Sequence, residues 1–288
     1  MGTPEFIMIR NKPISKERNM RNYYGPHALS ALMISIFSLG TSSAIAQPAQ
    51  NKPSWDITLG AGIAYVPDYE GSDDYKVRPL PDLSISYRDL VFLKGTAIGA
   101  NALTISGAGP GDKLQLGPLA RWRKGRDESQ NSALHGLGDI DDSVEAGGFA
   151  RYSLGGLAAD ITAVQDVAGG HRGALVETGL EYGRPLNSVL RGRLRASTSW
   201  ASDKYMQSYF GISSLQALHS GRKTYSAGAG FKDAGLSLGL DYSLTDHWGI
   251  GGMLGYTRLL GDAADSPIVK NDGSANQLST AVSVHYHF

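Results

Sequence analysis

Arg191, Arg193 and Arg195 stand at alternate positions in Leu-Arg-Gly-Arg-Leu-Arg, a spacing that sets three guanidinium groups on one face of a β-strand, opposite Leu190, Leu194 and Trp200. On the preceding segment Ala174, Val176, Leu180 and Tyr182 make the apolar face, so Glu177 and Glu181 share the face of the arginines. A near-symmetric hairpin closed by residues 183–189 sets Glu181 opposite Arg191 and Glu177 opposite Arg195. Opposite charges so placed stabilise by about 0.2–1 kcal/mol each. Arg121, Arg123, Glu145, Arg151 and Asp160 add mixed charge on inward positions. This is the chemistry of a narrow polar interior plugged by paired long side chains; the same arginines would also suit an anion-selective pore.

Two acidic clusters, Asp68/Glu70/Asp73/Asp74 and Asp139/Asp141/Asp142/Glu145, offer the oxygen ligands that hard cations prefer. Neither has the spacing of a calcium loop, and they read as solvated outer loops, with cation bridging to lipopolysaccharide as the minority reading. The segment around Asp262, Asp265, Ser266 and Pro267 reads as turn punctuation, because Asp and Ser beside Pro favour chain reversal; a loop constricting the lumen is the alternative. A serine hydrolase needs a histidine within reach of the nucleophile and a third group to orient it. His135, His171, His219 and His247 fall in loops or turns, and no Gly-x-Ser-x-Gly elbow is present. His285 and His287 share a strand face but have no third ligand for a metal. We therefore expect no catalytic residues, no metal and no cofactor.

The elements that must position these groups have a clear period of two. In residues 277–288, Leu278, Thr280, Val282, Val284, Tyr286 and Phe288 alternate with Gln277, Ser279, Ala281, Ser283, His285 and His287. Trp55, Ile57, Leu59, Ala61, Ile63 and Tyr65 do the same against Asp56, Thr58, Gly60 and Gly62, and so do Leu236, Leu238, Leu240 and Tyr242 against Ser237, Gly239, Asp241 and Ser243. Apolar faces without charge, opposed by Gly, Ser and charged residues, predict an all-β fold: a transmembrane antiparallel β-barrel with lipid outside and a polar lumen. Further strands are expected near 79–88, 90–105 (two short ones), 113–124, 142–154, 156–166, 172–183, 189–201 and 248–256. Residues 223–244 read as one long bent strand, which keeps loops 125–141 and 202–222 on the outward side. The total is about 12 strands, within 10–14, at the usual tilted length.

Composition agrees. The chain of 288 residues has 37 glycines, 14 tyrosines and no cysteine, which excludes disulfides, thiolate metal sites and a cysteine nucleophile. The apolar run at 28–39 follows Arg10, Lys12, Lys16, Arg18 and Arg21 and precedes Ala44-Ile45-Ala46, the pattern of a Sec-type signal peptide cut near Ala46-Gln47. Residues 1–46 thus form a leader, of which 1–6 read as a cloning scar or an over-long start; 47–54 form a periplasmic lead-in and 55–288 the barrel. Removing the leader leaves a mildly acidic remainder, which argues against a nucleic-acid partner.

Several stretches resemble the MipA/OmpV family of Gram-negative outer-membrane proteins: Tyr-Val-Pro-Asp-Tyr-Glu-Gly-Ser-Asp-Asp-Tyr (65–75), Gly-Leu-Gly-Asp-Ile-Asp-Asp (136–142), Tyr-Met-Gln-Ser-Tyr-Phe-Gly (205–211), Arg-Leu-Leu-Gly-Asp-Ala-Ala-Asp-Ser-Pro-Ile-Val (258–269) and the Tyr-x-Phe end. The resemblance implies an outer-membrane location and a scaffold role, joining a murein-cleaving lytic transglycosylase to a penicillin-binding protein. It brings no catalytic residues. Tyr286 and Phe288 resemble the terminal signal read by the barrel-insertion machinery. The expected function is a structural adaptor for cell-wall remodelling in contact with outer-membrane lipid and lipopolysaccharide. A channel for small polar solutes, a surface adhesin and a lipid-modifying enzyme follow in that order.

Overall fold

The computed structural model describes residues 54–109 and 111–288. The expected leader and all of the lead-in but Ser54 lie outside the described residues. Thirteen strands form one antiparallel sheet: β1 (Trp55–Pro67), β2 (Tyr75–Tyr87), β3 (Val91–Lys94), β4 (Ala97–Ala100), β5 (Leu103–Ser106), β6 (Lys113–Arg123), β7 (Ser143–Leu154), β8 (Leu157–Asp166), β9 (Ala174–Pro185), β10 (Leu190–Ala201), β11 (Gly230–Ser243), β12 (Trp248–Leu259) and β13 (Asn276–His287). Each pairs with its sequence neighbour except β4 and β5, which lie end to end along β6 and make one stave. β13 pairs with β1, so twelve staves close into a barrel. Closure is what a membrane demands of a sheet, since an open edge would leave backbone groups unpaired in hydrocarbon.

The alternation holds as expected. Leu59, Ile63, Leu238, Leu240, Val282 and Val284 are exposed to the surroundings, while Thr58, Ser279 and Ser283 are buried toward the lumen. Aromatic pairs mark two girdles. Trp55 and Tyr87 (4.7 Å), Trp248 and Tyr286 (5.1 Å) and Tyr286 and Phe288 (4.8 Å) stand at one end, and Tyr65 and Tyr75 (5.2 Å) at the other. The first end carries short connections such as Gly155-Gly156, where Gly155 takes a left-handed conformation, and residues 244–247. The second carries residues 68–74, 124–142, 167–173, 202–229 and 260–275. Short turns are periplasmic and long loops extracellular in outer-membrane barrels, which orients the molecule.

Two strand expectations change. The segment 90–105 yields three short strands rather than two. Residues 223–229 are not strand: Tyr225 bridges Ile212 instead, and β11 begins at Gly230, with an irregular register opposite Ser199 and Trp200. The expected sidedness of loops 125–141 and 202–222 stands.

Candidate functional site: a closed outer mouth over an inner vestibule

The extracellular loops fold into the mouth of the barrel as short helices: α1 (Asp203–Phe210), α2 (Ser214–Ser220), α3 (Gly261–Asp265) and α4 (Pro267–Lys270). α2 starts on a reciprocal cap between Ser213 and Gln216 and stops at Gly221 in the left-handed region. α1 buries one face, Tyr205, Met206, Tyr209 and Phe210, against Leu175, Ala201, Leu259, Ala263 and Val269. Ser266 donates to the Phe210 carbonyl at 2.6 Å and ties α3 and α4 to α1. The segment around Asp262 and Pro267, read as turn punctuation, is therefore two helical turns packed into the mouth.

Directly beneath lies an ion cluster centred on a fully buried carboxylate. Glu145 opposes Arg121 across β6 and β7, and its fully buried carboxylate pairs with Arg121, with Arg123 Nε at 2.7 Å and with His171 Nε2 at 2.9 Å. Arg121 also donates to Glu177 at 2.6 Å. Three donors on one carboxylate are what a buried charge needs, since an unpaired one would cost several kcal/mol. Tyr205 and Tyr209 stack on each other at 4.6 Å and roof the cluster, with the His171 ring 4.8 Å and the Arg123 guanidinium 5.7 Å from Tyr205. Lys232 of β11 pairs with Glu70 and with Asp233 at 2.6 Å, and Tyr205 donates its hydroxyl to Glu70 at 3.2 Å. Burial pushes the Tyr205 phenol well above its ordinary pKa, with the Glu70 charge adding to it. Burial likewise raises Tyr209 to about 12, against the pull of Arg123. In the loop above, burial lowers the pKa of Arg126, which donates to the Tyr209 carbonyl at 2.8 Å.

The reading of the acidic clusters as solvated holds for Asp73, Asp74, Asp139, Asp141 and Asp142, which are exposed, and is corrected for the other three. Asp68 is buried and pairs with Lys76, Glu70 is held by Lys232, and Glu145 belongs to a strand. Among the described residues no group of three His, Asp or Glu side chains is placed to hold a metal ion. His171 is committed at both nitrogens, because Nδ1 accepts from the Gly173 amide at 3.0 Å and Nε2 faces Glu145. It has no lone pair left to take a serine proton.

The charge ladder sits one layer deeper, with different partners from those expected. The β9–β10 register sets Arg195 opposite Glu181, Arg191 opposite Pro185 and Ser199 opposite Glu177. The shift arises at the turn, where the Asn187 side chain accepts from the amides of Val189 and Leu190 and moves the centre of the hairpin toward β10. Arg195 reaches over Gly179 to Asp160 on β8, Glu181 accepts from Arg151 at 3.3 Å, and Glu177 serves Arg121. Arg193 lies between Gly183 of β9 and Gly239 of β11, and Arg191 opposes Asp241.

Below this layer the lumen widens into a vestibule of about 500 Å³ at the periplasmic end. Asp56, Asp82, Arg191, Arg193, Asp241 and His285 are among its lining residues, with the periplasmic turns at its rim. His285 Nε2 lies 3.5 Å from Asp241, and His287 Nδ1 lies 3.2 Å from the Thr58 hydroxyl. The roof of Tyr205, Tyr209 and His171 escaped the sequence reading. Its signal is the 205/206/209/210 spacing of large side chains after Ser202, one face of a single helix in an otherwise β-patterned chain.

Residues 59–288 match the model of the family described as MltA-interacting protein MipA. The outer membrane protein OmpV of Vibrio cholerae serotype O1 is 31% identical over 180 residues, covering 62% of this chain and 67% of that protein. Omp26La of Vibrio anguillarum is 29% identical over 163 residues, covering 56% of this chain and 61% of that relative, so the match spans less than two thirds of its length. Among solved structures, the NanC porin aligns over 80% of this chain and 98% of its own at 11% identity and a TM-score of 0.44. Family match, named relatives and a closed twelve-stave barrel agree: the chain is an outer-membrane β-barrel belonging to the family of the MltA-interacting protein MipA.

Proposed function

We propose that the barrel is an outer-membrane anchor and adaptor that presents its periplasmic end to cell-wall remodelling enzymes, rather than a channel across the membrane. One observation carries the reading: the Glu145 ion cluster, roofed by α1, fills the outer half of the lumen, whereas the periplasmic half stays open and lined by both signs of charge. A through-pore needs a continuous polar path; a docking barrel needs a rigid, charged cup on the side where murein enzymes reside. The family description, which names an interaction with MltA, supports the same direction.

The test combines two measurements on the purified barrel. In a planar bilayer it is expected to show no steady unit current. Immobilised, it is expected to retain a lytic transglycosylase and a penicillin-binding protein, and to lose them when Arg191 and Arg193 are replaced by glutamate at the vestibule. Steady currents without retention would promote the channel reading, for which the vestibule would be the inner entrance.

A further inference from the structure

Among the described residues the barrel wall has a long stretch where β2 lacks a neighbour on one edge, besides the shorter β5, which pairs with β6 alone. β2 runs from Tyr75 to Tyr87 and pairs with β1 along its whole length, but its other edge meets β3 only from Ser84 to Tyr87. The β3–β4 hairpin turns back at Gly95 and Thr96, where Gly95 donates to the Leu83 carbonyl at 2.8 Å and Trp122 donates to Thr96 at 3.1 Å. Above that turn, among the described residues, no strand pairs with residues 75–83 on the edge away from β1.

The sequence of this edge is not that of a strand awaiting a partner. Leu83 points its carbonyl to the β3 side, so by the two-residue period positions 81, 79 and 77 do the same. Two of them are proline, Pro79 and Pro81, and can donate nothing there. Their register with Ala61 and Ile63 on β1 is unbroken, because the missing amide hydrogens fall on the open edge. Proline at alternate positions blocks a strand from another chain or a second copy from adding on. The occupant of the seam must therefore be something other than protein strand.

Its surroundings specify the chemistry. The stretch 77–83 lies between the Tyr65/Tyr75 girdle and the Trp55/Tyr87 girdle, running from near the extracellular end to just past the middle of β2, with its upper part level with the acyl chains of the outer leaflet. Val77, Pro79 and Pro81 are exposed outward, Val77 at 63%. Leu80 and Asp82, from the same unpaired stretch, line the vestibule. Near the upper girdle stand two cations: Lys76, paired with Asp68, and Arg78, which donates to the Asp68 carbonyl at 3.1 Å and whose buried Nε has no hydrogen-bond partner. Asn131 bonds Asp68 at 3.2 Å and Asp74 at 3.0 Å, fastening the top of the seam.

We infer that this seam is a lateral portal between the lumen and the outer leaflet, occupied by an acyl chain of a lipid whose anionic headgroup meets Arg78 and Lys76. The 288-residue chain has no cysteine, so single cysteines can be introduced and labelled without interference. Leu80→Cys reports on the seam and Val77→Cys on the lipid face. Ser283→Cys, inward on β13 with partners on both edges, reports on the closed lumen. Each is labelled with bimane and reconstituted into phosphatidylcholine vesicles that carry nitroxide-labelled acyl chains. The Leu80 label is expected to be quenched to an extent comparable with Val77 and several-fold more than Ser283; if Leu80→Cys does not fold, Asp82→Cys takes its place. Replacing part of the phosphatidylcholine with phosphatidylglycerol is expected to increase quenching at Leu80, and Lys76→Gln/Arg78→Gln to abolish that increase. Quenching at Leu80 no greater than at Ser283 overturns the portal. An equal response to both headgroups overturns the anionic-lipid assignment.

Discussion

Arg195 on β10 and Asp160 on β8 form a two-bonded ion pair, at 2.7 and 2.9 Å, that spans the whole of β9. The bridge passes over Gly179, where a Cβ would overlap the Arg195 guanidinium. Three staves are thereby locked by one side chain, and the glycine is part of the bond. Gly179→Ala is expected to push Arg195 off Asp160 and destabilise the barrel by about 1–3 kcal/mol, the scale for leaving a buried polar group unsatisfied. Urea titration in a reversible folding assay measures this. In the double variant with Arg195→Ala the two losses should not add, because both remove the same contact; full additivity would mean that Gly179 acts elsewhere.

Closure of the lumen is expected to depend on Glu145 and not on the inner arginines. Removing one partner of a buried pair costs about 3–5 kcal/mol, and Glu145→Ala leaves Arg121, Arg123 and His171 facing one another. A leak favouring anions should appear in planar bilayers, while Arg191→Ala/Arg193→Ala, which alters only the open vestibule, should stay silent. The reverse pattern would place the constriction in the wrong layer.

Alkali is expected to loosen the mouth before it unfolds the barrel. Tyr69 is raised from 10.0 to about 12 by burial, with Asp272 and Asp73 adding to it, and Tyr209 is raised to about 12 mainly by burial. For acids whose folded pKa is raised, the stabilisation is fully present below the unfolded value and disappears as pH climbs through the folded one. Conductance should therefore stay absent up to pH 10 and begin on the way to about 12. Tyr209→Phe, which cannot ionise, should delay the onset; an unchanged onset would exclude Tyr209 as its cause.

Lipid-facing and lumen-facing positions should answer differently to charge. Val282 is exposed and Ser283 buried at adjacent positions of β13. Val282→Arg is expected to cost about 2–4 kcal/mol near the middle of the bilayer, and Ser283→Arg less, read from the folding equilibrium in vesicles. Equal costs would contradict the facing.

Phe288 is expected to matter for insertion. It packs on Tyr286 at 4.8 Å and donates its amide to Ile57 at 3.0 Å. Deleting it should lower the amount of heat-modifiable barrel recovered from outer membranes, and unchanged recovery would show that insertion does not depend on it.

The facing of β1, β11 and β13 was legible because two solvents, lipid and lumen, impose opposite demands on alternate residues. Hairpin register was not. The shift that gave Arg195 Glu181 rather than Glu177 comes from a single side chain, Asn187, bonding two amides of its own turn, and both registers keep the arginines inward. An even shift leaves every face unchanged and hence no mark on the pattern. The roof of the ion cluster was hidden for another reason. Tyr205 and Tyr209 come from one loop helix and His171 from another loop, and their meeting with Glu145 depends on long-range packing that local composition does not encode.

The pairing of β13 with β1 has a kinetic consequence. Thr58 meets His287 across 229 residues, and Phe288 donates to Ile57 near the start of the first strand. The cylinder thus cannot be completed until β13 has been delivered. Until then both terminal strands have free edges, and contacts so distant in sequence form slowly. The interval between delivery and completion is when the chain is most open to pairing with the wrong partner, and a helper that shields β1 until β13 arrives would shorten that exposure.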